Sequence, residues 1–218
     1  MKEIIFYKTS FNASNQIFWD NLNISVAALK EYRIAPLKTY FDGNTWIKSS
    51  DTNPMYIAEF GNCRSIIKPN SLNNIFENFF DREHPSIFGY SNLPNSASTL
   101  YVVDNEIDVL LLDSVQLSAI SINKENISAF INILDLLKAR FHNINVLINN
   151  THFENLVKEN IRDPDVKLFV KPNNISAKTI FQLIDSSMSI IDYLEMVNFG
   201  FTIPYSNYKS NQILIIDN

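Results

Sequence analysis

Glycine and cysteine are scarce in this sequence, and their scarcity excludes several kinds of binding site. Only four glycines occur among 218 residues, and no two lie close enough to form a phosphate-binding loop. The Walker A motif and the dinucleotide-binding fingerprint are therefore absent. The single cysteine, Cys63, excludes an internal disulfide and a thiolate-rich zinc site. A lone cysteine also fits a reducing compartment, so a cytoplasmic location is predicted.

Basic charge and long apolar runs are lacking as well. Lys and Arg number 18 against 23 Asp and Glu, which gives a formal net charge of −5, and no block of basic residues occurs. An acidic chain of this kind is not expected to bind double-stranded nucleic acid, although a basic patch assembled from distant residues would escape this test. No stretch approaches the length of about 18 apolar residues that a transmembrane helix needs, so no membrane association is predicted.

The composition is that of a folded chain whose pattern changes near residue 97. Hydrophobic residues make up 46% of the sequence and charged residues 19%, which is too apolar for a disordered chain. Prolines interrupt every longer pattern before residue 97, and the segment 90–98 is rich in turn-forming residues. We therefore expect a mixed α+β region at 1–97 and a Rossmann-like α/β domain at 98–218.

The second half alternates strand-like runs with helical periodicities. The predicted strands are 99–103, 107–112, 117–122, 144–148, 166–170, 201–203 and 213–216, and the predicted helices are 127–141, 153–160 and 176–184. The run at 107–112 is apolar apart from Asp108 and does not alternate, which favours a strand covered on both faces. This order predicts an α/β fold with a mostly parallel, Rossmann-like sheet and flanking helices.

The first half has fewer regular patterns and many aromatic residues. Strands are predicted at 3–7, 55–60 and 63–67, and a helix at about 15–31. Aromatic residues that a small region does not bury concentrate at protein interfaces. The aromatic residues of 1–97 therefore have two interpretations, the filling of a core and an interaction surface, and the functional hypothesis below uses the second.

Acidic residues in the second half suggest one resemblance to a known family. The segment 106–123 resembles the core of PD-(D/E)XK nucleases, in which an acid on one strand and an acid-x-lysine on the next bind a divalent metal and position water. The resemblance implies that Asp108 is the first acid. Ser121 and Asn123 stand where the second acid and the lysine belong, and neither supplies a carboxylate or a positive charge. It therefore implies a degenerate relative of these nucleases.

The end of the chain suggests a second resemblance. Residues 165–208 are similar to the nucleotide-sugar half of GT-B glycosyltransferases, which repeats strand, helix and strand before a turn that contains proline. The strand 166–170, the helix 176–184 and the turn at Pro204 correspond to that pattern. The resemblance implies nucleotide-sugar binding, but this chain lacks the second domain of those enzymes and glycines near the donor phosphates.

The missing catalytic motifs lead to a functional hypothesis. The sequence predicts a non-catalytic intracellular interaction protein or accessory subunit, with another protein as its partner and with no catalytic, cofactor-binding or metal-binding residue. The alternative is an enzyme whose divergent site lies at the carboxyl ends of the parallel strands, where open α/β sheets bind ligands. The candidate residues for that site are Asp108, Asp113, Asn149, Asn150, His152 and Lys171. The sequence does not indicate an oligomeric state.

Overall fold

The structure is a computed structural model that describes residues 5–61, 63–69, 75–78, 86–148, 150–170 and 202–203. Its helices are α1 (Ala13–Asp20), α2 (Val26–Glu31), α3 (Glu106–Ser114), α4 (Ile127–Arg140) and α5 (Thr151–Asn160). Its strands are β1 (Phe6–Lys8), β2 (Ile34–Phe41), β3 (Trp46–Lys48), β4 (Tyr56–Phe60), β5 (Cys63–Ile67), β6 (Ile75–Asn78), β7 (Ala97–Val103), β8 (Ser118–Ser121), β9 (Phe141–Ile148), β10 (Val166–Val170) and β11 (Thr202–Ile203). Within these ranges, no helix is long and apolar enough to cross a membrane.

The first half contains an antiparallel sheet with the strand order β1-β2-β4-β5-β6, and β3 pairs with β2. The predicted strands at 55–60 and 63–67 correspond to β4 and β5. The sequence did not predict β2, which contains Pro36. Proline removes a backbone donor and disfavours a strand locally, but the sheet compensates, since the Pro36 carbonyl still accepts a hydrogen bond from the Thr9 amide at 2.9 Å.

The single helix predicted at 15–31 is two helices, α1 and α2. The side chain of Asn12 caps α1 by accepting a hydrogen bond from the Asn15 amide, and Ser25 caps α2 in the same way. Between them, Asn23 has a φ of 56°, a left-handed conformation that no helix interior contains. Two N-terminal caps therefore divide into two helices a segment that its periodicity predicted as one helix.

The second half contains a sheet with the order β11-β10-β9-β7-β8. Strands β7, β8, β9 and β10 are parallel, and the short β11 pairs antiparallel with β10. The fold class is therefore the predicted one: a mixed α/β chain with a mostly parallel sheet flanked by helices. The predicted helix at 176–184 and strand at 213–216 lie outside the described residues. The division of the chain into domains at residue 97 stays a prediction.

The predicted strand at 107–112 is wrong, because this segment lies in helix α3. Every residue from Glu106 to Leu112 is buried. A helix that is covered on all sides has no polar stripe, so its sequence shows the same unbroken apolar run as a buried strand. Asn105 begins the helix by accepting a hydrogen bond from the Asp108 amide.

Two large apolar clusters pack on the described parallel sheet, and one of them buries α3. Helices α4 and α5 cover one face of the parallel sheet, where Phe130, Leu134 and Phe153 pack against its strands. On the other side, residues of α3 share a cluster with Trp19 of α1 and Tyr56 of β4. Helix α3 therefore lies within the apolar core that joins the two halves of the described chain.

Candidate active site

The parallel sheet has a topological switch point between β7 and β9. The chain leaves β7 through α3 toward β8 on one side, and it leaves β9 through α5 toward β10 on the other. The two connections diverge at the carboxyl ends of these neighbouring strands, and we call the position between the two strand ends the crevice. In open α/β sheets, ligands bind at such crevices.

Asp104 directly follows β7 and lies at the centre of this crevice. Its carboxylate accepts one hydrogen bond from the Asn105 side-chain amide at 3.1 Å and another from the side-chain amide of Asn150. Asn150 lies at the carboxyl end of β9, so the second bond joins the two strands that border the crevice. Asp104 remains partly exposed.

Asn105 is held in place by α3. Its Oδ1 accepts a hydrogen bond from the Asp108 amide at 2.9 Å, and its Nδ2 donates to the Asp108 carboxylate at 2.8 Å. Since Nδ2 also donates to Asp104, the Asn105 amide lies between two carboxylates. Asp108 is fully buried, so it orients Asn105 and does not itself reach the crevice.

Asn150 is held in the same way by α5. Its Oδ1 accepts from the Phe153 amide at 2.8 Å, which caps the helix, while its Nδ2 donates to Asp104. Both helices thus begin with an asparagine whose second function is to bind the same carboxylate. The amino ends of helices carry a partial positive charge, so the crevice favours an anionic group such as a phosphate.

The surroundings of Asp104 shift its pKa. Burial raises the pKa of the carboxyl group, and the hydrogen bonds from Asn105, Asn150 and its own backbone amide oppose this shift, as does the charge of nearby His152. The net pKa is above its ordinary value of 3.8. A carboxyl group with a raised pKa in a crevice is a typical feature of a functional site.

The described residues include no group of three or more His, Cys, Asp or Glu side chains that could hold a metal ion. Asp104 is nevertheless a suitable ligand for Mg²⁺. This ion is usually bound by one or two carboxylates together with the phosphates of a substrate, rather than by a cage of protein ligands. Asp104 is a single carboxylate, so it would hold such a cation only together with the phosphates of a substrate.

The candidate residues named from the sequence occupy different places. Asn150 and His152 lie at the carboxyl edge of the parallel sheet, beside Asp104. Asp108 is buried one turn into α3, and Asp113 lies near the end of that helix, at the opposite edge of the sheet. Asn149 and Lys171 lie outside the described residues. The structure therefore brings two of the six candidates to the crevice.

Asp113 borders a separate cavity of about 280 Å³. Tyr32 of the first half also lines this cavity and forms a hydrogen bond with Asp113. Burial raises the pKa of both groups, and the Asp113 charge raises that of Tyr32 further. The contact connects the end of α2 with the end of α3, so it joins the two halves of the chain.

Sequence reasoning missed Asp104, the central residue of the crevice. Asp104 falls between the predicted strands 99–103 and 107–112 and was not among the candidate residues. One signal was available: Asp104 is the first residue after the apolar run 99–103, and the carboxyl end of a parallel strand is where ligand-binding residues lie.

No protein-family model matches the chain, and no curated protein matches it. Solved structures do. The primase fragment of the bacteriophage T7 primase-helicase protein is 14% identical, with a TM-score of 0.54 over 82% of this chain and 72% of that chain. A DNA primase domain from Pseudomonas aeruginosa is 9% identical, with a TM-score of 0.55 over 89% and 73%. The chain shares its fold with DNA primase domains.

A third similar structure contains nucleic acid. It is the bacteriophage T7 lagging-strand DNA polymerase interacting with primase domains bound to an RNA/DNA hybrid and dTTP, at 15% identity and a TM-score of 0.52 over 85% of this chain and 76% of that chain. These likenesses correct the functional hypothesis. The prediction of a non-catalytic accessory protein is wrong, because the chain shares its fold with DNA primase domains.

The expected partners are corrected by the same finding, because the similar primase domains bind nucleic acid. The net charge of −5 sums over the whole chain, so it does not exclude a local basic surface. Strands β1, β2 and β3 contain three lysines and no acidic residue. The nuclease resemblance also fails locally, since Asp108 lies on a helix rather than a strand. Most of the segment that resembles GT-B enzymes lies outside the described residues.

Proposed function

We propose that this chain is a nucleic-acid-handling enzyme whose active site is the crevice between β7 and β9. Its substrates are a nucleic-acid strand and a nucleoside triphosphate, and it acts in the cytoplasm. The observation that carries the proposal is Asp104: a carboxylate with a raised pKa at the switch point of the sheet, between the amino ends of two helices. The fold shared with primase domains supports the same substrate class.

The residues of the crevice have separate roles in this proposal. Asp104 is the group that meets the substrate, through a divalent cation bound to the triphosphate. When bound, such a cation neutralises phosphate charge in the transition state. Asn105 and Asn150 are positioning residues, since each donates a hydrogen bond that fixes the orientation of the Asp104 carboxylate. The helix ends attract the phosphates.

The test is nucleotide incorporation by the full chain on a single-stranded DNA template with Mg²⁺. Asp104→Asn keeps the size of the side chain and removes its charge, and we expect the rate to fall by about 100-fold or more, as for loss of a group that stabilises transition-state charge. Asp113→Asn is the matched control, because this carboxyl group lies at the other edge of the sheet. We expect it to retain the rate within about threefold.

Two results would contradict the proposal. One is a wild-type chain that neither incorporates nucleotides nor binds a nucleoside triphosphate in the presence of Mg²⁺. The other is equal activity of the Asp104→Asn variant and the wild type, which would move the chemistry away from the crevice.

A further inference from the structure

An exposed aromatic cluster lies on the outer face of the antiparallel sheet, away from the crevice. It consists of Tyr7 on β1, Phe41 on β2 and Trp46 on β3. The side chains of Tyr7 and Trp46 are 57% and 47% exposed, and Phe41 is partly exposed. Large aromatic side chains are normally buried in a core, so three together at the surface call for a functional reason.

Strand pairing places the three rings on one face. Phe41 is the direct partner of Trp46, and Tyr7 is the partner of Thr39, two residues before Phe41 on the same strand. Because side chains alternate along a strand, Tyr7, Phe41 and Trp46 point away from the apolar cluster around Tyr40. The Trp46 ring centre lies 5.7 Å from that of Tyr7 and 5.4 Å from that of Phe41.

The cluster carries positive charge at its edge. Lys48 is the direct partner of Thr39, so it lies on the same face as the rings, and it is exposed. The exposed Lys38 precedes Thr39 at a bulge in the β1–β2 pairing, where the alternation is interrupted and Leu37, not Lys38, joins Tyr40 in the buried cluster. Among the residues that the structure describes, neither lysine forms an ion pair. The only carboxylate in the adjoining β2–β3 turn, Asp42, accepts hydrogen bonds from the amides of that turn.

We propose that Tyr7, Phe41 and Trp46 form a stacking platform for the bases of a single-stranded nucleic acid, with Lys48 and Lys38 contacting its phosphates. Exposed rings beside free-standing cations are the arrangement by which proteins bind single strands without sequence preference. The negative charge of the strand complements the lysines. This inference rests on the proposed function, because it assigns the template strand of that activity to a surface of its own.

The two tryptophans provide a direct readout, since Trp46 is exposed and Trp19 is fully buried. We expect oligothymidylate of about 12 nucleotides to quench the tryptophan emission of the full chain. The quenching is absent from Trp46→Phe, which retains only Trp19. Trp46→Ala and Tyr7→Ala weaken binding by about tenfold, as expected for loss of one stacked base. Leu136→Ala is the control, because Leu136 is an equally exposed apolar residue on α4, and it leaves binding unchanged.

Salt dependence tests the lysines. Lys48→Gln lowers the slope of log affinity against log salt by about one, as expected for loss of one phosphate contact. The Asp104→Asn variant separates the two proposals. If it binds the oligonucleotide as the wild type does while nucleotide incorporation fails in every form of the protein, the platform stands and the proposed function does not.

Three outcomes overturn the platform. The first is that oligothymidylate does not bind the wild type. The second is that it binds without changing the Trp46 emission and that Trp46→Ala retains the affinity within twofold. The third is self-association in light scattering that Trp46→Ala abolishes, without any response to oligonucleotide. That result would assign the aromatic face to contact with a second copy of the chain.

Discussion

Asn150 donates a hydrogen bond from its side-chain amide to the Asp104 carboxylate, and at the same time its Oδ1 caps helix α5. One side chain therefore links the start of a helix, the end of β9 and the end of β7. Asn105 repeats this arrangement at the start of α3. The orientation of Asp104 thus depends on two helix caps, which makes it a rigid feature of the fold.

Substitutions at Asn150 separate its two roles. Asn150→Ser retains a good helix cap but is too short to reach Asp104, and we expect it to lower the free energy of unfolding by about 1 kcal/mol through the lost hydrogen bond. Asn150→Ala loses the cap as well, for a total of about 2 kcal/mol. Urea denaturation measures both values. Asn12→Ala, which removes the cap of α1 alone, is the control at about 1 kcal/mol.

If Asn150→Ser proves as stable as the wild type at neutral pH, the bond to Asp104 contributes nothing and the crevice is less ordered than the structure indicates.

The raised pKa of Asp104 predicts a dependence of stability on pH. The native chain binds this proton more tightly than the unfolded chain, so stability falls as the pH rises from the ordinary value of 3.8 through the higher native pKa. Asp104→Asn removes that loss. The amide of the variant faces the donor of Asn105 or Asn150 at a cost that does not depend on pH, so we expect the stability of the variant relative to the wild type, by urea denaturation, to increase from well below pH 3.8 to pH 7.

Asp51→Asn serves as the control for this experiment, because Asp51 is an exposed residue of a loop. Its effect is expected to stay within about 0.5 kcal/mol at both pH values. A stability difference between Asp104→Asn and the wild type that stays constant with pH, or that moves against the variant as the pH rises, would contradict the raised pKa of Asp104.

Gly89 tolerates no side chain. Its φ is +87°, and a Cβ atom there would lie 2.6 Å from the backbone oxygen of Ala119. The neighbouring Phe88 carbonyl accepts a hydrogen bond from the Ser121 amide, which ties this segment to β8. We expect Gly89→Ala to cost at least ~2 kcal/mol in denaturant unfolding, because backbone strain and a backbone clash combine.

Gly43→Ala is the comparison for this substitution, since Gly43 has a φ of +96° in the turn between β2 and β3. It tests the strain of a left-handed residue, at about 1 kcal/mol. Equal costs at the two sites would mean that the chain near Gly89 moves away from Ala119.

Lys138 on α4 holds the segment that precedes β10. Its ammonium group lies 2.9 Å from the Asp163 carboxylate and 3.0 Å from that of Asp165. Burial raises the pKa of Asp163, but the hydrogen bonds from Lys138 and from the Asp165 amide outweigh it, so the net pKa is lowered. The stabilisation is therefore present above the ordinary pKa of 3.8 and is lost as the pH falls through that range.

We expect Lys138→Met to lower the thermal midpoint slightly at pH 7 and low salt. The difference from the wild type should shrink at high salt, where exposed charges are screened, and at acid pH. A difference that is the same at every salt concentration would assign the effect to packing of the side chain instead.

Local patterns predicted much of the second half. The apolar stripe of Phe130, Leu134 and Leu137 predicted α4 within one residue at its end, and all three side chains are buried. The runs at 144–148 and 166–170 predicted β9 and β10. These elements bury one face or both faces in a core, so the spacing of their apolar residues indicates whether each is a helix or a strand.

The error at α3 had a consequence for the site. With 107–112 taken as a strand, Asp113 came at its carboxyl end and was expected beside the ligand. Because the segment is a helix, the chain has already returned to the other edge of the sheet by Asp113, and Asp104 occupies the carboxyl end instead. The wrong assignment of this one segment therefore placed Asp113 at the carboxyl edge of the sheet, where Asp104 lies instead.

The sequence by itself determined the fold class, helix α4, strands β9 and β10 and the absence of glycine-rich phosphate loops, because each depends on residues that are near neighbours in the chain. Only the tertiary structure decided that α3 is buried on all sides, that Asp104 meets Asn150, and that Tyr7, Phe41 and Trp46 share an exposed face. Each of these depends on the order of strands in a sheet, which joins residues that are 39 to 46 positions apart, such as Tyr7 with Trp46 and Asp104 with Asn150.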